Sequence, residues 1–158
     1  MEVAYAEHFA NGAARLDEYA RVILSCLLKS GDFSGLQDIA GVNVSPVDGK
    51  EFAIDADISH MKVRGEFRHA FAADDSGQFL CGVLDFRVLD ERGRSQGDVL
   101  VRIIHDGQGN CGWRGDPSVL HSVVPPGVPE GHRFRQQVLQ LLRLKVYELL
   151  EAHPLQAI

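Results

Sequence analysis

Apolar residues at Tyr5, Phe9, Ala13, Leu16, Ala20, Ile23 and Leu27 recur at spacings of four and three, the stripe of an amphipathic helix. Val22, Leu24 and Leu28 widen the stripe, so the second half of this helix is expected to be covered on more than one side. Asn11-Gly12 is a candidate kink, and Ser30-Gly31 ends the helix. Asp32 then reads as the N-cap of a short second helix that carries Phe33, Leu36 and Ile39 and stops at Gly41. Near the other end of the chain, Phe134, Val138, Leu141, Leu142, Val146, Leu149 and Leu150 mark a long helix from Gly131 to Ala152, with His153-Pro154 as its stop.

Between the helices the period changes to two. Val42 to Gly49 reads as extended chain that turns at Pro46 and Asp48-Gly49. Four alternating segments follow at 51–58, 61–71, 79–89 and 98–105, and Cys111 to Arg114 is a short fifth. Their joints are short, which implies antiparallel neighbours. Residues 116–130 hold Pro117, Pro125, Pro126 and Pro129 and read as an ordered crossing loop. The predicted fold is α+β: a four- to five-stranded antiparallel meander packed by an N-terminal helix pair and a long C-terminal helix, one domain over residues 1–158. This order is similar to the helix-grip ligand-binding fold in its closing helix, with that fold's first strand absent. In size and charge the chain looks like acidic secretion chaperones, which carry a helix inside the strand order. Neither resemblance rests on a motif, and no functional residue is carried over from either.

The turns set a register. Across Ser59-His60, Ile58 meets Met61, which pairs Asp57 with Lys62, Asp55 with Arg64 and Glu51 with Arg68. Opposite charges across strands contribute roughly 0.2–1 kcal/mol each. Lys62, Arg64 and Arg68 therefore read as a neutralised ladder in preference to a basic stripe. A turn at Asp74–Gly77 sets Gly65 by Phe86, Phe67 by Leu84 and His69 by Gly82. Continuing through the next two loops, Gly82 meets His105, and His105 meets Cys111.

That register puts His69, Gly82, His105 and Cys111 in one row on the core-facing side. Gly65 and Gly82 are expected to leave a hollow beside it. A hollow lined by two imidazoles and a thiol is what a metal centre or a Cys–His nucleophile pair requires. The plainer reading is a pair of core histidines bonded to backbone or water, because no carboxylate or further ligand falls beside them. Asp85, which could orient His105, belongs to the opposite face. No catalytic residue and no metal ligand is assigned, and no cofactor is expected. His105 to Asn110 is glycine-rich but lacks the Lys-Ser/Thr ending of a phosphate loop, so it reads as a hairpin. Arg114-Gly115-Asp116 reads as a turn, His121 and His132 as exposed histidines, and Trp113 as a core anchor.

Composition narrows the partners. The chain carries a formal charge of −6 with a pI near 5.6, which argues against nucleic acid. Ten acids and four bases lie in residues 1–60, and twelve of each in 61–158, so the net charge sits in the first third. Three cysteines without a CxxC pair signal no disulfide framework. No apolar run has the length of a membrane span, and the N-terminus lacks a signal-peptide pattern, so a cytoplasmic home is expected. Twelve arginines against four lysines point to a bacterial or phage source. The expected function is a non-catalytic protein-interaction domain (accessory, inhibitor or chaperone-like) meeting another protein through its acidic N-terminal third. Apolar residues off the main helix stripes make a homodimer the expected state. The alternative is a small-molecule or metal-binding domain, or an enzyme, using the hollow lined by His69, His105 and Cys111.

Overall fold

The computed structural model describes residues 2–74, 77–107, 110–115 and 131–152, with side chains from residue 12 onward except those of 72–74 and 77. The expectations for the proline-rich loop at 116–130, including Asp116 and His121, for the turn tip at 75–76 and for the His153-Pro154 stop lie outside the described residues.

The period-two segments build one six-stranded antiparallel sheet in sequence order: β1 Val42–Val47, β2 Lys50–Ile58, β3 Met61–Asp74, β4 Gly77–Leu89, β5 Ser95–His105 and β6 Cys111–Arg114. The architecture is α+β, as the pattern implies. The count of four to five strands is corrected to six, because residues 42–47 pair with β2 from Val42↔Ile58 to Pro46↔Ile54. Pro46 is tolerated there because β1 is an edge strand, and the register shifts immediately after it.

Helix α1 runs unbroken over Glu2–Leu28, so Asn11-Gly12 does not divide it. Its end is a Schellman turn: Lys29 takes φ 57, and Ser30 N–H bonds Ser25 O at 3.0 Å. The expected N-terminal helix pair is also corrected. Only a three-residue 3-10 turn, Gly31–Phe33, follows α1, and the chain to residue 41 is irregular. Long-range bonds hold this connector. From α2 (Gly131–Ala152), Arg135 donates to Leu27 O at 3.1 Å and to Gln37 O at 2.7 Å, and Arg143 donates to Ala40 O at 2.9 Å. Phe33, Leu36 and Ile39 still pack on the core, without a helix to present them.

One face of the sheet carries Ile54, Ile58, Val63, Leu84, Phe86, Val101 and Ile103, all buried. Against it lie Ile23, Leu24 and Leu27 of α1 and Phe134, Val138, Leu139, Leu142 and Val146 of α2. Trp113 packs edge-on against Phe134 with centroids 5.2 Å apart. Among the described residues, no helix is long and apolar enough to cross a membrane.

Candidate functional site

The row predicted from the turns is present. His69 lies opposite Gly82, Gly82 opposite His105, and His105 opposite Cys111. What fills the row differs from the expectation. A Cβ on Gly82 would lie 2.6 Å from both His105 Cε1 and Phe67 Cε2. The space left by the missing side chain is therefore taken by the His105 imidazole. Gly65 is closed in the same way, since a Cβ there would come within 2.7 Å of Phe86 Cε1. Both glycines are required by rings arriving from the next strand, and neither leaves a hollow.

His105 is buried and sandwiched. Its ring stacks on Phe67 at 5.6 Å with 12° between planes, and lies 4.9 Å from the Tyr19 ring of α1. Neither ring nitrogen has a hydrogen-bond partner. Burial pushes its pKa down to about 4, so the ring is neutral near pH 7. His69 stands on the same face at the rim. Its Nε2 lies 2.7 Å from Asp17 Oδ1 of α1, and its ring meets Phe67 edge-on at 5.5 Å. Phe67 thus separates the two imidazoles. The carboxylate that the sequence could not place comes from α1, and its short contact is with His69.

Cys111 is buried, and desolvation pushes its thiol up to about 12. A neutral thiol beside a neutral imidazole is not the thiolate–imidazolium pair that nucleophilic chemistry uses. Among the described residues, no group of three or more His, Cys, Asp or Glu is placed to hold a metal ion. Cys111 instead helps line a small apolar cavity of about 60 Å³ with Tyr19, Ile23, Cys26, Phe33 and Phe134. A shallow cleft of about 660 Å³ opens at the far end of the sheet between the Ser59–Lys62 turn, the Val88–Gly93 segment and Leu150. Ser59 and His60 hold that turn at φ 50 and 67, the left-handed pair of a two-residue hairpin.

The opposite face of the sheet holds what the sequence reading missed. Asp85 is 2% exposed and accepts two bonds from Arg102, 2.6 Å from Nε and 3.0 Å from Nη2. Arg68 and Arg87 reach the same carboxylate at 3.5 and 4.0 Å. The same register that gave the histidine row places Asp85 opposite Arg102, so the signal was available. The predicted ladder survives in part. Asp55 and Arg64 form a two-bond pair at 2.7 and 3.1 Å, and Lys62 lies opposite Asp57. The pairing of β2 with β3 stops at Ala53↔Glu66, before Glu51 could meet Arg68. Glu51 bonds Arg21 of α1 at 2.6 Å instead.

The acidic first third is partly neutralised inside the fold. Asp38, Glu51 and Asp55 each hold a cationic partner, respectively Lys29, Arg21 and Arg64, and Asp17 meets the His69 ring. In comparisons with known proteins, no family model matches the chain, and neither does a curated protein or a solved structure.

Proposed function

We propose that the domain is a non-catalytic protein-interaction module, of accessory, inhibitor or chaperone-like type, and that a second copy of the chain is its first partner. The observation that carries this reading is the outer surface of α2. Leu144, Tyr147 and Leu150 follow one another at intervals of three and are 53, 42 and 41% exposed. Val22 on α1, at 47%, adds to the unburied apolar surface. Large apolar side chains grouped on a helix lose their contact with water when another protein covers them.

Sedimentation equilibrium tests the reading. The wild type is expected to associate, and a Leu144→Glu/Tyr147→Glu variant to sediment as a monomer with unchanged helix content. A wild type that stays monomeric at high concentration removes the homodimer. A second reading, a small-ligand or metal site at the histidine row, rests on the two unpartnered nitrogens of His105. Zinc or iron bound stoichiometrically to a monomeric purified protein would favour it over the first.

A further inference from the structure

Two cysteines that are distant in the chain meet at one place. Cys26 of α1 and Cys111 of β6 are 3 and 1% exposed, both are free thiols, and both line the small cavity at the start of α2. Cys26 Sγ donates to Gly131 O at 3.2 Å, which holds that side chain at the cavity wall. The rest of the wall is Tyr19, Val22, Ile23, Phe33 and Phe134, with the Gly131 backbone. Val22, at 47% exposure, brings one side of the cavity to the molecular surface. Two polarizable sulfurs therefore share one apolar chamber of about 60 Å³.

A second observation concerns charge. Arg135, near the start of α2, is 5% exposed and gives its hydrogen bonds to two neutral carbonyls, Leu27 O at 3.1 Å and Gln37 O at 2.7 Å. A buried cation is normally paired with an anion. Asp38 is the acid whose field Arg135 feels, but its short contact of 2.6 Å is with Lys29. Arg135 also acts on the cavity. Burial pushes the Cys26 thiol up to about 11, and the Arg135 charge opposes that rise. Burial likewise pushes Cys111 up to about 12, with Asp106 and Cys26 adding to it. Left to themselves both sulfurs keep their protons, and two bare thiolates there would repel each other. A cation bound by both removes the repulsion and displaces both protons. Two thiolates and one monovalent cation leave a single negative charge, which the Arg135 guanidinium offsets.

We propose that Cys26 and Cys111 together bind one copper(I) ion through their two sulfurs. Ligand chemistry sets the choice of metal. Thiolates select soft ions, copper(I) among them. Zinc takes four ligands, and apart from Tyr19 and the Gly131 backbone the remaining wall is hydrocarbon. Copper(I) is satisfied by two sulfurs, and a dry chamber excludes the water that would oxidise or strip it. The site depends neither on the exposed surface of α2 nor on the histidine row, from which it differs in both ligands and metal.

The test titrates the reduced full chain with copper(I) under anaerobic conditions, in competition with a bathocuproine chelator. The wild type is expected to take one ion per chain, to release about two protons with it and to gain a thiolate-to-copper absorption in the ultraviolet. Cys26→Ala and Cys111→Ala are each expected to lose about a hundredfold or more in affinity. Cys81→Ala removes the thiol on the other face of the sheet and is expected to bind like the wild type. Circular dichroism and the melting temperature of each metal-free variant establish that it is folded. X-ray absorption at the copper edge of the loaded wild type reads the ligands without any substitution, and two sulfurs are expected. A wild type that cannot hold copper against the chelator overturns the proposal. So does wild-type affinity in the Cys26→Ala/Cys111→Ala double variant. A single sulfur with one proton released overturns it in favour of adventitious capture by one thiol. Nitrogen ligands, with binding lost in His69→Ala or His105→Ala, overturn it in favour of the histidine row.

Discussion

A buried imidazole whose nitrogens find no partner costs about 1–3 kcal/mol, and His105 carries that cost in return for packing between Phe67 and Tyr19. Unfolded, the ring titrates near 6.5; folded, burial holds it near 4. Between those two pH values the unfolded chain binds a proton that the folded chain does not. Stability therefore falls as the pH drops through this window, by about 3 kcal/mol when the lower bound is passed. His105→Phe keeps a flat ring and removes both orphan atoms. It is expected to be as stable as the wild type or more so at pH 7, and to lose most of the slope between pH 6.5 and 4. Urea midpoints measured across that range check this, and an unchanged slope in the variant assigns the acid sensitivity to other groups. A second expectation concerns Asp55 and Arg64, a two-bond pair whose side chains are 27 and 17% exposed. Partial exposure limits its worth to about 1 kcal/mol or less. A double-mutant cycle is expected to give coupling of that size, and exchanging the two residues to restore it.

At the scale of elements, the register was legible and the occupants were not. Turn lengths and apolar alternation give strand parity, and parity alone sets His69, Gly82, His105 and Cys111 in line. It survives even the register shift between Phe86 and Val88, where Gly97 takes φ 75 on the facing strand. Parity does not say where a side chain leans, and a glycine read as a void is filled here by the ring across from it. Strand β1 was hidden by Pro46, which breaks an interior strand and is tolerated at an edge. Phe33, Leu36 and Ile39 have helical spacing, yet the bonds that order their segment come from Arg135 and Arg143 roughly a hundred positions later. No local pattern reveals a tether of that length. Gly82→Ala tests the packing argument directly. The added Cβ would collide with His105 and Phe67, so the variant is expected to lose about 1–3 kcal/mol. Adding His105→Ala should recover part of that loss, because the ring that causes the collision is gone. Additive losses in the double variant would show that the two residues do not share the space.

At the scale of the whole molecule, the helices bury one side of their apolar surface and leave another. Of the apolar residues off the main helix stripes, Leu24 and Leu139 are buried and Leu28 is half-buried, whereas Val22, Leu144 and Tyr147 remain exposed. The helix-packed core is thus larger than the stripes implied, because α1 and α2 also cover one another's flanks at the sheet. The exposed remainder lies mostly on α2, and this concentrates the self-association argument on a few side chains. Association stabilises the folded state by mass action, since only folded chains present the α2 surface. The melting temperature of the wild type is therefore expected to rise with protein concentration. Leu144→Glu places a charge on the surface proposed for self-association, and its melting temperature is expected to be independent of concentration. At high dilution, where the wild type is dissociated, the two proteins should melt together, because Leu144 makes little contact within its own chain. Thermal melts over a hundredfold range of concentration read both limits. A wild type with no concentration dependence, or a Leu144→Glu variant that melts lower even at high dilution, assigns Leu144 to the stability of the single chain instead of to a contact between chains.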